Sequence, residues 1–176
     1  MSDDWEDLKY VADNYTLEDA KRECYVLMEN GSVTFGKEIW HDFIDLVDKG
    51  KPCKIRVSHY YTLEDPSHYD RSYYESIKDD YPMMFTFELD CKDDIFYLSH
   101  YEEERLYQSE YKYLMRYEGE AETPTATFTS YVRYVLVNDD TVTWKDICSG
   151  MLSSYSAANI EHDQIYTELF FKDGYR

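Results

Sequence analysis

The sequence has little glycine, little proline and few basic residues, and it contains no long apolar run. Six glycines and four prolines in 176 residues leave no flexible linker that would divide the chain. We therefore predict a single domain over residues 1–176, a length that fits one domain. No stretch approaches the about 20 apolar residues of a membrane-spanning helix, so we predict no membrane span.

The N-terminus also lacks the basic and then apolar pattern of a signal peptide, because it is acidic from Asp3 onward. We therefore expect a cytoplasmic protein, and an export signal removed from the mature chain stays an open alternative. The four cysteines, at positions 24, 53, 91 and 148, show no CxxC spacing. Two long-range disulfides would fit an exported protein, but we favour reduced, buried cysteines.

Motifs for catalysis and metal binding are missing as well. The five histidines form no HExxH pair, the acids form no calcium-binding loop, and no serine stands in GxSxG. The sequence thus predicts no catalytic residue, no metal ligand and no cofactor. An active site assembled in space stays open, and His59 and His100, in predicted strands near acids, are its candidates.

One string resembles a phosphate-binding loop, because Gly31 to Lys37 matches GxxxxGK before a predicted helix. The pattern then requires a Ser or Thr hydroxyl for magnesium, and Glu38 stands there instead. The interior of the string, Val33-Thr34-Phe35, is also too stiff and bulky for a loop whose backbone amides must surround an anion. We interpret the string as a β-hairpin followed by a helix start.

Negative charge is what the chain has in excess, with 37 acidic against 18 basic residues and a net charge of −19. Residues 61–122 alone hold 17 acidic and 6 basic residues. Such a field repels nucleic acid and anionic lipid and attracts basic proteins or cations. We therefore expect no direct nucleic-acid binding, and solubility alone is the simpler explanation of the charge.

Tyrosine is the second excess: the chain has 20, and 12 of them fall between Tyr60 and Tyr117. Tyrosine favours half-buried pleated surfaces, where its ring packs and its hydroxyl stays wet. Apolar residues at helical spacing predict a helix over residues 37–48, which Gly50 and Pro52 end. Thr16 and Thr143, each with an Asp three residues on, predict two further helix starts.

Period-two patterns predict the strands, which lie around residues 25–28, 33–35, 55–61, 85–90, 95–101, 106–117, 127–137 and 165–171. A polar loop is predicted from Asp65 to about Pro82. Short turns join most strands, so neighbours should be antiparallel. The predicted fold is α+β, an antiparallel meander covered on one face by two or three helices.

Three segments carry a resemblance to a known family: Tyr15–Ala20, Gly31–Trp40 and Lys49–Val57. Over about residues 15–62 the chain resembles an uncharacterised family of small Gram-positive bacterial proteins and lipoproteins, in which a YxLExA start, an NGxV turn, a helix ending in GK and an IRI strand recur in order. The resemblance implies the same local fold and a bacterial setting. It implies no activity.

Three classes of function remain open from the sequence. The favoured one is a non-catalytic binding or inhibitory protein that presents an acidic, tyrosine-rich face to a basic protein partner. A structural or envelope-associated protein is the alternative, and an enzyme is the third. The expected partner-binding residues are Tyr101, Glu102, Glu103, Glu104, Tyr107, Glu110 and Tyr111, because carboxylates and rings together recognise arginine and lysine.

Overall fold

The computed structural model describes residues 5–11, 15–153 and 159–174, in which nine strands form two sheets. Sheet A has the order β2-β1-β3-β4-β5-β6, and sheet B has the order β7-β8-β9. The strands are β1 Val26–Glu29, β2 Ser32–Phe35, β3 Cys53–Tyr61, β4 Met83–Lys92, β5 Ile95–Glu102, β6 Arg105–Tyr111, β7 Tyr113–Glu120, β8 Phe128–Val137 and β9 His162–Phe171. The helices are α1 Leu8–Val11, α2 Leu17–Arg22, α3 Lys37–Asp48, α4 Arg71–Ile77 and α5 Trp144–Leu152, with 3-10 turns at Pro66–His68 and Lys78–Asp80. The α+β class is confirmed.

Local signals place the helices where the sequence predicts them. Thr16 caps α2 and Thr143 caps α5, each through a reciprocal capping box with the Asp at its third helical position. Helix α3 has the predicted bounds, and it follows Gly36, whose φ is +83°. A Cβ on Gly36 would lie 3.1 Å from the carbonyl oxygen of Tyr25. Gly36 therefore lets the helix start close against β1.

The main core lies between the two sheets, and α3 contributes its buried residues Trp40 and Phe43 to it. The Trp40 ring stacks on Tyr166 of β9 with 4.5 Å between ring centroids. Sheet A supplies Val57 and Leu89, which are fully buried on the same side. Burying such apolar area is the dominant favourable term in folding. The apolar stripe of α3 thus joins the two sheets.

Helices also cover the outer faces of both sheets, which differs from the predicted single covered face. Leu27 of β1 packs with Val11 of α1 and Ala20 of α2, whereas its neighbours Val26 and Met28 face the main core. Because side chains alternate across a strand, α1 and α2 lie on the face opposite α3. On sheet B, α5 packs its Ile147 against Val135. The parallel β1–β3 pair is a further departure from a simple meander.

The predicted long strand from Leu106 to Tyr117 is wrong, because the chain bends at Lys112. Residues before the bend pair with β5 in sheet A, and residues after it pair with β8 in sheet B. The backbone N–H of Lys112 donates to the side-chain oxygen of Asn138 at 3.2 Å, which supports the bend. No glycine or proline marks it in the sequence. The tyrosines of this segment therefore do not share one continuous face.

Two smaller predictions also need correction. The segment 65–82 is not a plain polar loop, since it contains α4, whose N-cap Asp70 accepts from the backbone N–H groups of Ser72 and Tyr73. The cysteines are free thiols, as favoured, but only Cys91 is buried and Cys24 is exposed. Cys53 faces Cys91 across β3 and β4, and burial raises the pKa of the Cys53 thiol to about 12.

Candidate functional site

The hairpin of β5 and β6, residues 95–111, forms an edge of sheet A and carries the residues predicted to bind a partner. Its turn holds Glu103 and Glu104 at φ +48° and +62°, between the paired residues Glu102 and Arg105. Two positive φ values in a two-residue loop are the type I′ geometry, for which Asn-Gly is the preferred sequence. A glutamate in this backbone conformation destabilises the fold by about 1 kcal/mol or more. The turn therefore holds two exposed carboxylates in a strained backbone.

The structure distributes the predicted residues over two faces of this hairpin. Tyr107 and Tyr111 lie on the face that continues the main core, whereas Tyr101 and Glu110 lie on the opposite face. Tyr111 is only 3% exposed, and its hydroxyl donates to Asp163 Oδ2 at 2.7 Å. Burial, with the Asp163 carboxylate beside it, raises the pKa of Tyr111. Tyr111 is a core residue and cannot contribute to an exposed binding surface.

The structure also brings together a row of rings that the sequence does not predict as a unit. We call it the aromatic strip, and its members are Tyr61, Phe85, Phe87, His100 and Tyr107. Phe87 contacts His100 at 5.4 Å between ring centroids, and His100 stacks on Tyr107 at 5.1 Å. At the strip's ends, Phe85 is 39% exposed and Tyr107 is 41% exposed. Partly buried and exposed rings thus line one face of sheet A, and the strip ends at Tyr107, near the acidic turn.

Of the two histidine candidates for an assembled active site, His100 belongs to this strip and His59 packs against two of its members, Tyr61 and Phe87. The Nε2 of His59 lies 3.2 Å from the carbonyl oxygen of Ile165. Because a carbonyl only accepts, Nε2 carries the proton, and Nδ1 faces the Tyr61 hydroxyl at 3.5 Å. Burial lowers the pKa of His59, so this ring is held neutral. His59 and His100 both pack on Phe87, and their observed contacts are mainly those of packed rings.

The GxxxxGK string and the scattered potential metal ligands form no site of their own in the part of the chain that the structure describes. The interior of the GxxxxGK string is strand β2, and the Lys37 ammonium forms an ion pair with Glu168. The prediction of a hairpin followed by a helix start is confirmed. Within residues 5–11, 15–153 and 159–174, no three His, Cys, Asp or Glu side chains converge as a group that could hold a metal ion.

The acidic hairpin carries exposed carboxylates, most of which form no ion pair with a described residue. Glu103, Glu104 and Glu110 are exposed, and none forms an ion pair with any residue that the structure describes. Glu102 lies 3.8 Å from His100 Nε2, and Arg105 is the one basic residue of the hairpin. Exposed carboxylates can accept charge-assisted hydrogen bonds from a cationic group of a partner. The site therefore combines exposed rings with unneutralised negative charge.

No protein-family model, curated protein or solved structure matches the chain. The resemblance over residues 15–62 therefore stays a prediction. None of the described helices is both long and apolar enough to cross a membrane.

Proposed function

We propose that the protein is a non-catalytic binding or inhibitory protein, whose acidic β5–β6 hairpin binds a basic protein partner. One observation carries the proposal: Glu103 and Glu104 form no ion pair with any described residue, and they lie in the turn that leads into the strand of the exposed ring of Tyr107. Glu110 adds a third such carboxylate on the opposite face of the hairpin. An acidic surface that served solubility alone would not require exposed rings in the same place.

The chemistry of this surface fits lysine and arginine side chains. A guanidinium can stack on Tyr107, whose ring is already held flat against His100. The neighbouring carboxylates accept charge-assisted hydrogen bonds, which are shorter and stronger than neutral ones. Because Tyr107 is pre-positioned by stacking, little side-chain entropy is lost when a partner binds. The net charge of −19 adds long-range attraction to any basic partner.

The proposal is tested by neutralising the turn. The variant Glu102→Gln, Glu103→Gln, Glu104→Gln removes three charges from the hairpin. The control Glu38→Gln, Asp42→Asn, Asp48→Asn removes three exposed charges from α3. Immobilised wild type and both variants are used to capture proteins from the source organism, with identification by mass spectrometry. We expect a basic protein that is retained by wild type and by the control and lost by the hairpin variant.

Association kinetics with the captured protein give the quantitative test. We expect the association rate to fall several-fold between low and physiological salt, where the Debye length is about 8 Å. Thermal unfolding of the hairpin variant should match wild type, because its carboxylates are exposed. Equal binding by the hairpin variant and the control would show that the turn carboxylates serve solubility alone and would end the proposal.

A further inference from the structure

Among the strands that the structure describes, none pairs with the outer side of β6, which is therefore a free edge of sheet A. It lies last in the strand order, and it pairs with β5 without a bulge from Arg105 to Tyr111. Exposed edges are usually blunted by charged side chains, above all lysine, by proline or by a bulge. Strand β6 has no lysine, proline or bulge, and its charged residues are Arg105 at its start and Glu110 near its end. The opposite edge is covered, since Ser32 Oγ of β2 accepts from the backbone N–H of Leu169 on β9. Sheet A therefore has one covered edge and one open edge.

The turn geometry identifies the backbone groups that point outward from this edge. In a two-residue hairpin the residues flanking the loop, here Glu102 and Arg105, form a hydrogen-bonded pair. Hydrogen-bonded and non-hydrogen-bonded pairs then alternate along an antiparallel ladder. Leu106, Gln108 and Glu110 thus direct their backbone N–H and C=O groups away from β5. Each of these three residues is exposed.

We propose that β6 accepts an extended, arginine- or lysine-rich segment of a protein partner as a seventh strand of sheet A. The inference rests on the proposed function and specifies how that partner binds. An added strand forms hydrogen bonds with the outward N–H and C=O groups of β6. Its alternate side chains contact the two faces of the sheet. Side chains on one face meet the ring of Tyr107. Side chains on the other face meet Glu110, on the exposed side of the hairpin.

Charge selects a basic partner rather than a second copy of this chain. Pairing β6 with another β6 would bring together two hairpins that each hold Glu102, Glu103, Glu104 and Glu110 with one Arg105. Like charges across an interface are strongly unfavourable. A basic strand instead neutralises these carboxylates as it satisfies the backbone.

The first test uses a synthetic nine-residue peptide of alternating arginine and valine, acetylated and amidated at its ends. Two further peptides serve as controls: the same sequence with N-methyl groups on alternate residues, and a version with glutamate in place of arginine. Fluorescence anisotropy at low salt measures binding to the full chain. We expect saturable binding of the first peptide, at least tenfold weaker binding of the N-methylated peptide, and no binding of the glutamate peptide.

The second test alters the edge itself. Gln108→Pro removes one outward N–H at an edge position, where proline is tolerated. Gln108→Ala is its control, because it removes only the side chain that donates to Ser99 Oγ. We expect the proline variant to bind the arginine peptide at least tenfold more weakly than the alanine variant. Hydrogen exchange should slow at the amides of Leu106, Gln108 and Glu110 when the peptide is bound.

The outcomes separate this inference from the proposed function. One outcome would support binding of a basic partner and overturn strand addition. In it, the three-glutamine turn variant loses binding of the arginine peptide, whereas the N-methylated peptide binds wild type normally and Gln108→Pro binds the arginine peptide normally. The N-methylated peptide is tested on the wild-type protein. It therefore shows whether strand addition occurs even if the variant Gln108→Pro does not fold. A concentration-dependent dimer that Gln108→Pro dissociates would make a second copy the occupant and overturn the proposal. Absence of saturable binding up to about 1 mM peptide would also overturn it.

Discussion

Replacing Arg56 should destabilise the fold more than any surface change, because this arginine is buried and joins three parts of the chain. It is 2% exposed. Its Nε donates to Glu88 at 2.9 Å, and its two terminal nitrogens donate to the Tyr25 hydroxyl and to the Glu6 carbonyl, each at 2.6 Å. The guanidinium also lies 5.1 Å from the Trp5 ring centroid.

The expected magnitude follows from what the variant Arg56→Ala leaves behind. Removing one partner of a buried ion pair typically costs about 3–5 kcal/mol, since the other charge stays uncompensated. Glu88 keeps Lys54 at 3.2 Å, and its side chain is partly solvated. We therefore expect Arg56→Ala to lower the free energy of unfolding by about 3 kcal/mol, the lower end of that range. The total free energy of unfolding of a domain is about 5–15 kcal/mol.

Urea unfolding followed by tryptophan fluorescence and by circular dichroism measures this loss. Because Arg56 bonds to the Glu6 carbonyl, we expect the Trp5 environment to change at lower urea than the sheet signal in Arg56→Ala. Arg56→Met serves as control, since it keeps the apolar stem but no donor. A double-mutant cycle with Glu88→Gln isolates the pair. If Arg56→Ala lowers the free energy of unfolding by less than about 1 kcal/mol, the reasoning is refuted. Removing a buried arginine with three hydrogen-bond partners should destabilise the fold by more than that.

Two further predictions concern the core. Phe43→Ala should lower the free energy of unfolding by about 3–5 kcal/mol, as cavity-forming changes do, and a loss under about 1 kcal/mol in urea would contradict the core assignment. Burial lowers the folded pKa of His59 below 6.5, so the unfolded chain takes up the proton first as pH falls through that value. Stability should therefore be fully present above pH 6.5 and decline below it. A His59→Gln variant with the same decline would show that other groups cause it.

The sequence alone determines the elements whose signals are local. The bounds of α3 follow from its apolar spacing between Gly36 and Gly50, and the starts of α2 and α5 follow from Thr-x-x-Asp capping boxes. The α+β class follows from period-two strands joined by short turns. Each of these signals involves residues within a few positions of one another, so it acts before the chain has folded. The acidic turn at Glu102–Glu104 is predicted for the same reason.

The tertiary structure decides everything that depends on contacts far apart in the chain. The bend at Lys112 depends on pairing with β5 on one side and β8 on the other, and the burial of Tyr111 depends on that bend. Arg56 looks like a surface residue of an alternating strand until the N-terminal segment covers it. The aromatic strip exists only because the register of β4, β5 and β6 aligns Phe87, His100 and Tyr107. Strand order, which no local pattern encodes, leaves β6 as the open edge.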